Sequence, residues 1–138
     1  MSSKDNERLE HGLHIISQLE LPMGNPHGLL HGMRIHGPAF KQHLIESLGR
    51  HFSADHPLED KVKVLLALSL ASVSQSDDLI EFFVGAALKL GWSREQVVST
   101  IEVGTLFNGW PSAIGAVQVA ISVFEKLDVL EKEGQSND

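Results

Sequence analysis

Three observations predict an all-α fold. Apolar residues recur at three- and four-residue spacing along nearly the whole chain, and glycine or proline falls at the breaks between these periodic segments. No run of alternating polar and apolar β-branched residues is bounded by hairpin turns. At 138 residues the chain has a common length for one domain with one core. A single domain over 1–138 with about six helices is therefore expected, residues 1–37 forming a variable N-terminal helix and loop.

The first helix is expected from about Asn6 to Leu19, where Leu9, Leu13, Ile16 and Leu19 share one face. It stops before Pro22. Residues 22–37 hold two prolines and four glycines, which reads either as a loop or as a short turn of helix around Leu29 to Met33. Gly37-Pro38 starts the second helix, because proline suits the first helical position, where its missing N–H has no intrahelical partner anyway. Phe40, Leu44 and Leu48 form its expected stripe. A third helix is expected from about Pro57 to Val73. A fourth runs from about Asp77 to Leu90, with Asp77 and Asp78 at the positive end of its dipole and Gly91 beyond its end.

Ser93-Arg94-Glu95-Gln96 has the Ser-x-x-Gln form of a capping box, and the helix it starts is expected to reach about Phe107. Gly109-Trp110-Pro111 makes the next break. The last helix then runs to about Lys132, with Ala113, Ala116 and Ala120 as a strip open to close approach by another helix. Ile114, Val117, Ile121 and Phe124 are expected to bury beside that strip.

Composition excludes several function classes. The chain has no cysteine, so no disulfide, thiolate metal site, iron–sulfur cluster or thiol nucleophile can form. Its net charge of −7 opposes binding to nucleic acid or to an anionic membrane, and no basic patch offsets it. The polar N-terminus carries no leader-like apolar core. The most apolar stretch, Val62 to Val73, has only about a dozen residues where a membrane span needs about 20. A cytoplasmic location is expected. Neither GxGxxG nor GxxxxGK[ST] occurs, and Ser74 and Ser76 stand in no nucleophile-elbow motif.

All eight histidines lie within the first 56 residues. His27 and His31 are four apart, and His36 sits two residues before Pro38, so one of the three is a candidate general acid or base for a substrate pocket covered by this Gly-rich segment. They can equally be half-exposed surface or interface histidines, the reading given to His11, His14, His43, His51 and His56. No HExxH motif or recognisable third ligand accompanies them, so no metal site is assigned. Trp110 and Trp92 each follow a glycine at a break, where an aromatic either walls a cavity or packs under a turn. Glu102 either faces inward among Val98, Ile101 and Phe107 or lies on the wet face. Ser69, Ser72, Ser74, Gln75 and Ser76 either line a pocket or satisfy backbone groups at a helix end.

The segment AALKLGWSREQVVSTIEVGTLFNGWPSAIGAVQVA resembles the core repeat of the carboxymuconolactone decarboxylase and alkylhydroperoxidase-D-like superfamily. That repeat shows an Ala-Leu-x-x-Gly turn, a Ser or Thr cap before Glu-Glu-Ile, and an aromatic-x-Gly-aromatic-Pro-x-Ala break. Ala87 to Gly91, Ser93 to Val97 and Phe107 to Ala113 correspond to them. LEDKVKVLLALSLAS and PAFKQHLIESLG resemble the two preceding helices, so the likeness covers about Pro38 to Phe124.

The resemblance implies an all-helical protomer that assembles as a homotrimer or homohexamer. The peroxidase-like branch uses a Cys-x-x-Cys pair, a histidine four residues beyond and a glutamate one helix earlier. A gap-free count from Gly91 puts these positions on Ser76, Leu79, Phe83 and Val64. No thiolate, proton relay or acid–base group remains there, so peroxidase and disulfide-reductase activities are rejected. The decarboxylase branch usually keeps the histidine, replaced here by Phe83.

The leading expectation is a cofactor-independent lyase, decarboxylase, isomerase or cyclase acting on a small apolar carbonyl, lactone or polyketide-like substrate. Phe82, Phe83 and Trp110 would shape its cavity, with Ser76 and Glu102 as polar lining and His31, His36 or His27 moving the proton. Lys63, where many relatives carry a basic residue, either pairs with a substrate carboxylate or is a solvated lysine. The alternative is a catalytically silent homo-oligomeric ligand-binding or structural protein. Buried histidine or carboxylate groups in the cavity would favour the enzyme.

Overall fold

The computed structural model describes residues 3–21, 37–52 and 56–136. Six helices and no strand occur among them: α1 (Ser3–Leu19), α2 (Pro38–His51), α3 (Asp60–Val73), α4 (Asp77–Lys89), α5 (Arg94–Glu102) and α6 (Thr105–Ser136). The all-α prediction holds. The question of helix or loop at Leu29 to Met33 falls outside the described residues.

Local chemistry sets most of the boundaries. Ser93 Oγ accepts from the Gln96 N–H at 3.1 Å while Gln96 Oε1 accepts from the Ser93 N–H at 2.9 Å, so the capping box forms in both directions. α4 ends in a Schellman turn in which Gly91 takes φ +100°, Gly91 N–H donates to Leu88 O and Trp92 N–H donates to Ala87 O. α3 ends in the same turn: Gln75 N–H donates to Ser72 O and Ser76 N–H to Ala71 O. There the left-handed position, φ +57°, is held by Gln75 rather than glycine.

Two boundaries differ from expectation. α3 begins at Asp60 and not Pro57, because Pro57 sits in a bend and Glu59, extended at φ −62° and ψ 145°, is the N-cap. α5 stops at Glu102 and not Phe107. Gly104 is buried where a Cβ would lie 3.1 Å from Ile101 O and 3.4 Å from a Val73 methyl, so the chain turns against the end of α3 before restarting at Thr105. The expected break at Gly109-Trp110-Pro111 is a kink within α6, with Gly109 at φ +74° and ψ −175° and Pro111 contributing no N–H.

α4 is the central helix and packs against α1, α3, α5 and α6. Its Phe82, Phe83, Val84, Ala86 and Ala87 are buried together with Val64 and Leu68 of α3, Val97 and Ile101 of α5, and Ala116, Ala120 and Val123 of α6. The alanine strip is buried as expected, but Ile114 and Ile121 are exposed. A residue adjacent to the strip in sequence is turned about 100° around the helix, and among the described residues no element covers that edge of α6 at Ile114 and Ile121.

α1 and α2 form a pair crossing at glycines. A Cβ at Gly12 would lie 2.2 Å from Ile45 O, and one at Gly49 would lie 2.9 Å from the Gly12 backbone. This crossing moves the buried faces away from the expected stripes. Ile15, Ile16 and Leu19 pack inward while Leu13 is exposed, and Ile45 and Leu48 are buried while Phe40 is 63% exposed.

Candidate functional site

Ser76 is the N-cap of α4 and half-buried, and Leu79 lies one turn on, exposed. Phe83 follows a further turn along and is buried. Val64 of α3 is fully buried within the same core. These four positions lie on two helices that pack together, α3 and α4.

Aromatic packing fills the surroundings of Phe83. The Phe82 ring meets it edge-on at a centroid separation of 5.1 Å and an interplanar angle of 89°. Phe52, just beyond the end of α2, stacks on it at 6.2 Å and 26°. Such pairs contribute about 0.5–1.5 kcal/mol each beyond their burial, and none of the three rings can give or take a proton. Sequence reasoning singled out Phe82 and Phe83 but not Phe52. Its contact spans two helices, and nothing local to residue 52 signals it.

Other candidates have structural partners. Lys63 Nζ donates to His51 O at 2.6 Å, closing the C-terminal end of α2. Lys89 does the same for α1, donating to Ser17 O at 2.6 Å and to Glu20 O at 3.1 Å. Trp92 packs under its turn, its indole N–H donating to Lys61 O at 2.8 Å and its ring lying 4.6 Å from Lys61 Nζ. Ser72 Oγ donates back to Leu68 O at 2.8 Å. Glu102 is exposed, on the wet face.

His27, His31 and His36 lie outside the described residues. His11, His14, His43 and His51 are exposed and His56 is half-buried. His11 Nε2 lies 2.8 Å from Gly49 O, a further bond across the α1–α2 crossing. Among the described residues no group of three His, Asp or Glu side chains is arranged to hold a metal ion. A bidentate ion pair lies at the surface. Arg94 meets Asp128 at 2.7 Å, and the bidentate contact raises the Arg94 pKa and holds the Asp128 carboxyl below its ordinary value.

Trp110 is 71% exposed and belongs to an apolar face that sequence reasoning did not assemble. Leu106 and Phe107, beside it at the α6 kink, are 81% and 75% exposed. Val62, Leu66 and Leu70, four apart on the outer side of α3, are exposed as well, as are Val103 and Ile114. Hydrogen bonds fix the kink to α3: Asn108 donates to Val73 O, and Ser112 Oγ donates to Ser72 O at 3.1 Å. Large apolar side chains clustered in this way mark interaction surfaces.

Fold and site together define an all-helical protein without thiol chemistry, built around a central helix whose middle is packed with phenylalanine. The sequence model of the carboxymuconolactone decarboxylase family matches residues 38–122, and the chain belongs to that family. The match begins at the first residue of α2 and ends within α6. No curated protein matches the chain. Among the described residues no helix is long and apolar enough to cross a membrane.

Proposed function

We propose that this chain is a catalytically silent, homo-oligomeric member of its family that holds a small apolar compound in the cytoplasm. The observation that carries this reading is the packing of Phe83 between Phe52 and Phe82. Where relatives place a proton-transfer group, this chain places a buried ring among rings. The pairing of Lys63 with a backbone carbonyl and the exposure of Glu102 leave that position without a charged group from either. Trp110, Leu106, Phe107 and the outer side of α3 support assembly, as a trimer or hexamer, through a face too apolar to stay wet. Ser76, half-buried as the N-cap of α4, is assigned to ligand orientation.

A second reading is favoured by one specific contact. Leu21 lies against Gly85 of α4, one turn from Phe82, so the chain enters residues 22–36, with His27, His31 and His36, beside the phenylalanine cluster. In this reading the protein is a lyase, decarboxylase, isomerase or cyclase whose proton is moved by one of those histidines. Turnover of a panel of small apolar carbonyl, lactone and polyketide-like compounds, followed by mass spectrometry, separates the two. The silent reading expects no product from the wild type. Product formed by the wild type and lost in the His27→Ala/His31→Ala/His36→Ala variant would replace it with the enzyme.

A further inference from the structure

Asn108 ties the α6 kink to the end of α3. Val73 stands in the last turn of α3, whose carbonyls have no partner in their own helix, and the Asn108 side-chain amide donates to Val73 O. Ser112 Oγ supplies a second tie at Ser72 O. Between the two ties the backbone leaves helical geometry at Gly109, with φ +74° and ψ −175°, and Pro111 brings no N–H to continue the ladder. Leu106, Phe107 and Trp110, the three most exposed large apolar side chains among the described residues, stand directly around this fastening. Residues 103–124 contain no Asp, Glu, Lys, Arg or His. On a chain of net charge −7 the face they help to build is therefore neutral, and a negative charge formed within it would meet no opposite charge from its own segment.

The sequence at the fastening is Asn-Gly. The other asparagines, Asn6, Asn25 and Asn137, precede Glu7, Pro26 and Asp138. Glycine leaves its backbone nitrogen open to the preceding side chain because no Cβ shields it, whereas proline has no N–H to give up. Asn108 is exposed, so water reaches its amide. We propose that Asn108 is a site of spontaneous deamidation, and that its conversion unfastens the α6 kink and breaks up the assembly. The Gly109 nitrogen gives up its proton and bonds to Asn108 Cγ, the Cγ–Nδ2 bond breaks, and the side-chain nitrogen leaves as ammonia. Water then opens the cyclic imide, restoring an N–H at Gly109 and leaving the carboxylate of an aspartate or isoaspartate. The donor to Val73 O is then gone, and a carboxylate faces that acceptor at the negative end of the α3 dipole. Within the assembly the new charge would also be withdrawn from water among apolar side chains. The loss of assembly rests on the oligomer reading above; the chemistry at Asn108 does not.

The test is to hold the purified wild type in mildly alkaline buffer and to follow it by peptide mass mapping, hydrogen exchange and native mass spectrometry. The peptide containing Asn108 is expected to gain about 1 Da, at least about tenfold faster than the one containing Asn6. In converted chains the amides of residues 104–112 should exchange at least about tenfold faster than in fresh ones, and converted chains should collect in species of lower mass. Asn108→Asp should show both changes from the outset. Asn108→Gln keeps a side-chain amide but needs a larger ring to form an imide, so it should hold its mass and its assembly over the same period. Asn108 left intact in the folded protein, under conditions that convert it in the unfolded chain, overturns the site. Conversion that alters neither exchange nor assembly, or dissociation of Asn108→Gln in step with the wild type, overturns its consequence. A wild type that is a single chain from the start overturns the oligomer reading alone. Exchange at residues 104–112 then decides, faster on conversion supporting the unfastening and unchanged overturning it.

Discussion

Replacing Gly12 with alanine sets two effects of opposite sign against each other. In an isolated helix the change is favourable by about 1 kcal/mol, because glycine has the larger backbone entropy to lose. In α1 the new methyl carbon would stand 2.2 Å from Ile45 O and 2.4 Å from Ile45 Cγ2, against an ordinary contact of 3.4 Å or more. The oxygen belongs to the backbone of α2 and cannot rotate away, so the helices must part by about 1 Å and loosen Ile15, Ile16, Ile45 and Leu48. Overpacking of this kind costs about 1–3 kcal/mol. With a backbone atom in the way we take the upper end, leaving a net loss of about 2 kcal/mol after the gain in propensity. Gly115 of α6 is the control, since no atom lies within 4 Å of a Cβ built there. Gly115→Ala should stabilise by about 0.5–1 kcal/mol. Urea unfolding followed by circular dichroism measures both. A Gly12→Ala protein as stable as the wild type, or more so, would refute the close crossing of α1 and α2.

Further expectations concern the helix ends and the surface ion pair. Gln75→Gly should raise stability by about 1 kcal/mol, because φ +57° strains any residue with a Cβ, and a higher melting temperature would register it. Ser93→Ala removes one half of the capping box and should cost about 1 kcal/mol in the same assay, whereas Ser69→Ala, at a side chain that only bonds back to Leu66 O, should be near neutral. Asp128 is held ionised by Arg94, so its pKa is lower in the folded than in the unfolded chain. Its contribution is present above the ordinary carboxylate value of about 3.9 and fades as pH falls through the lower folded value. The stability difference between wild type and Asp128→Asn should therefore be constant near neutrality and vanish in strong acid.

What could be read from the sequence was what neighbouring residues decide among themselves. Ser93 and Gln96 satisfy each other's backbone groups, Gly91 takes the left-handed turn, and Pro38 fits a first helical position, so those boundaries were legible. That Leu79 and Phe83 stand four apart on one helix, with Val64 on the helix packed against it, was legible too, because α4 runs unbroken from Asp77 to Lys89. What escaped was set by other parts of the chain. The faces of α1 and α2 rotate because two glycines cross, exposing Leu13 and Phe40. α5 ends early because Gly104 packs against the end of α3. Phe52 reaches Phe83 across more than 30 residues of sequence. Ile114 and Ile121 were expected to be buried because an apolar residue near an apolar strip usually is, but among the described residues nothing lies over them.

The central claim, an apolar compound held by an assembly of identical chains, is tested most directly by native mass spectrometry of the protein as purified. The account predicts a mass that is a multiple of 15.1 kDa, with added mass from a non-covalently bound small molecule that is uncharged and lost on denaturation. A single species at 15.1 kDa with nothing bound would contradict it.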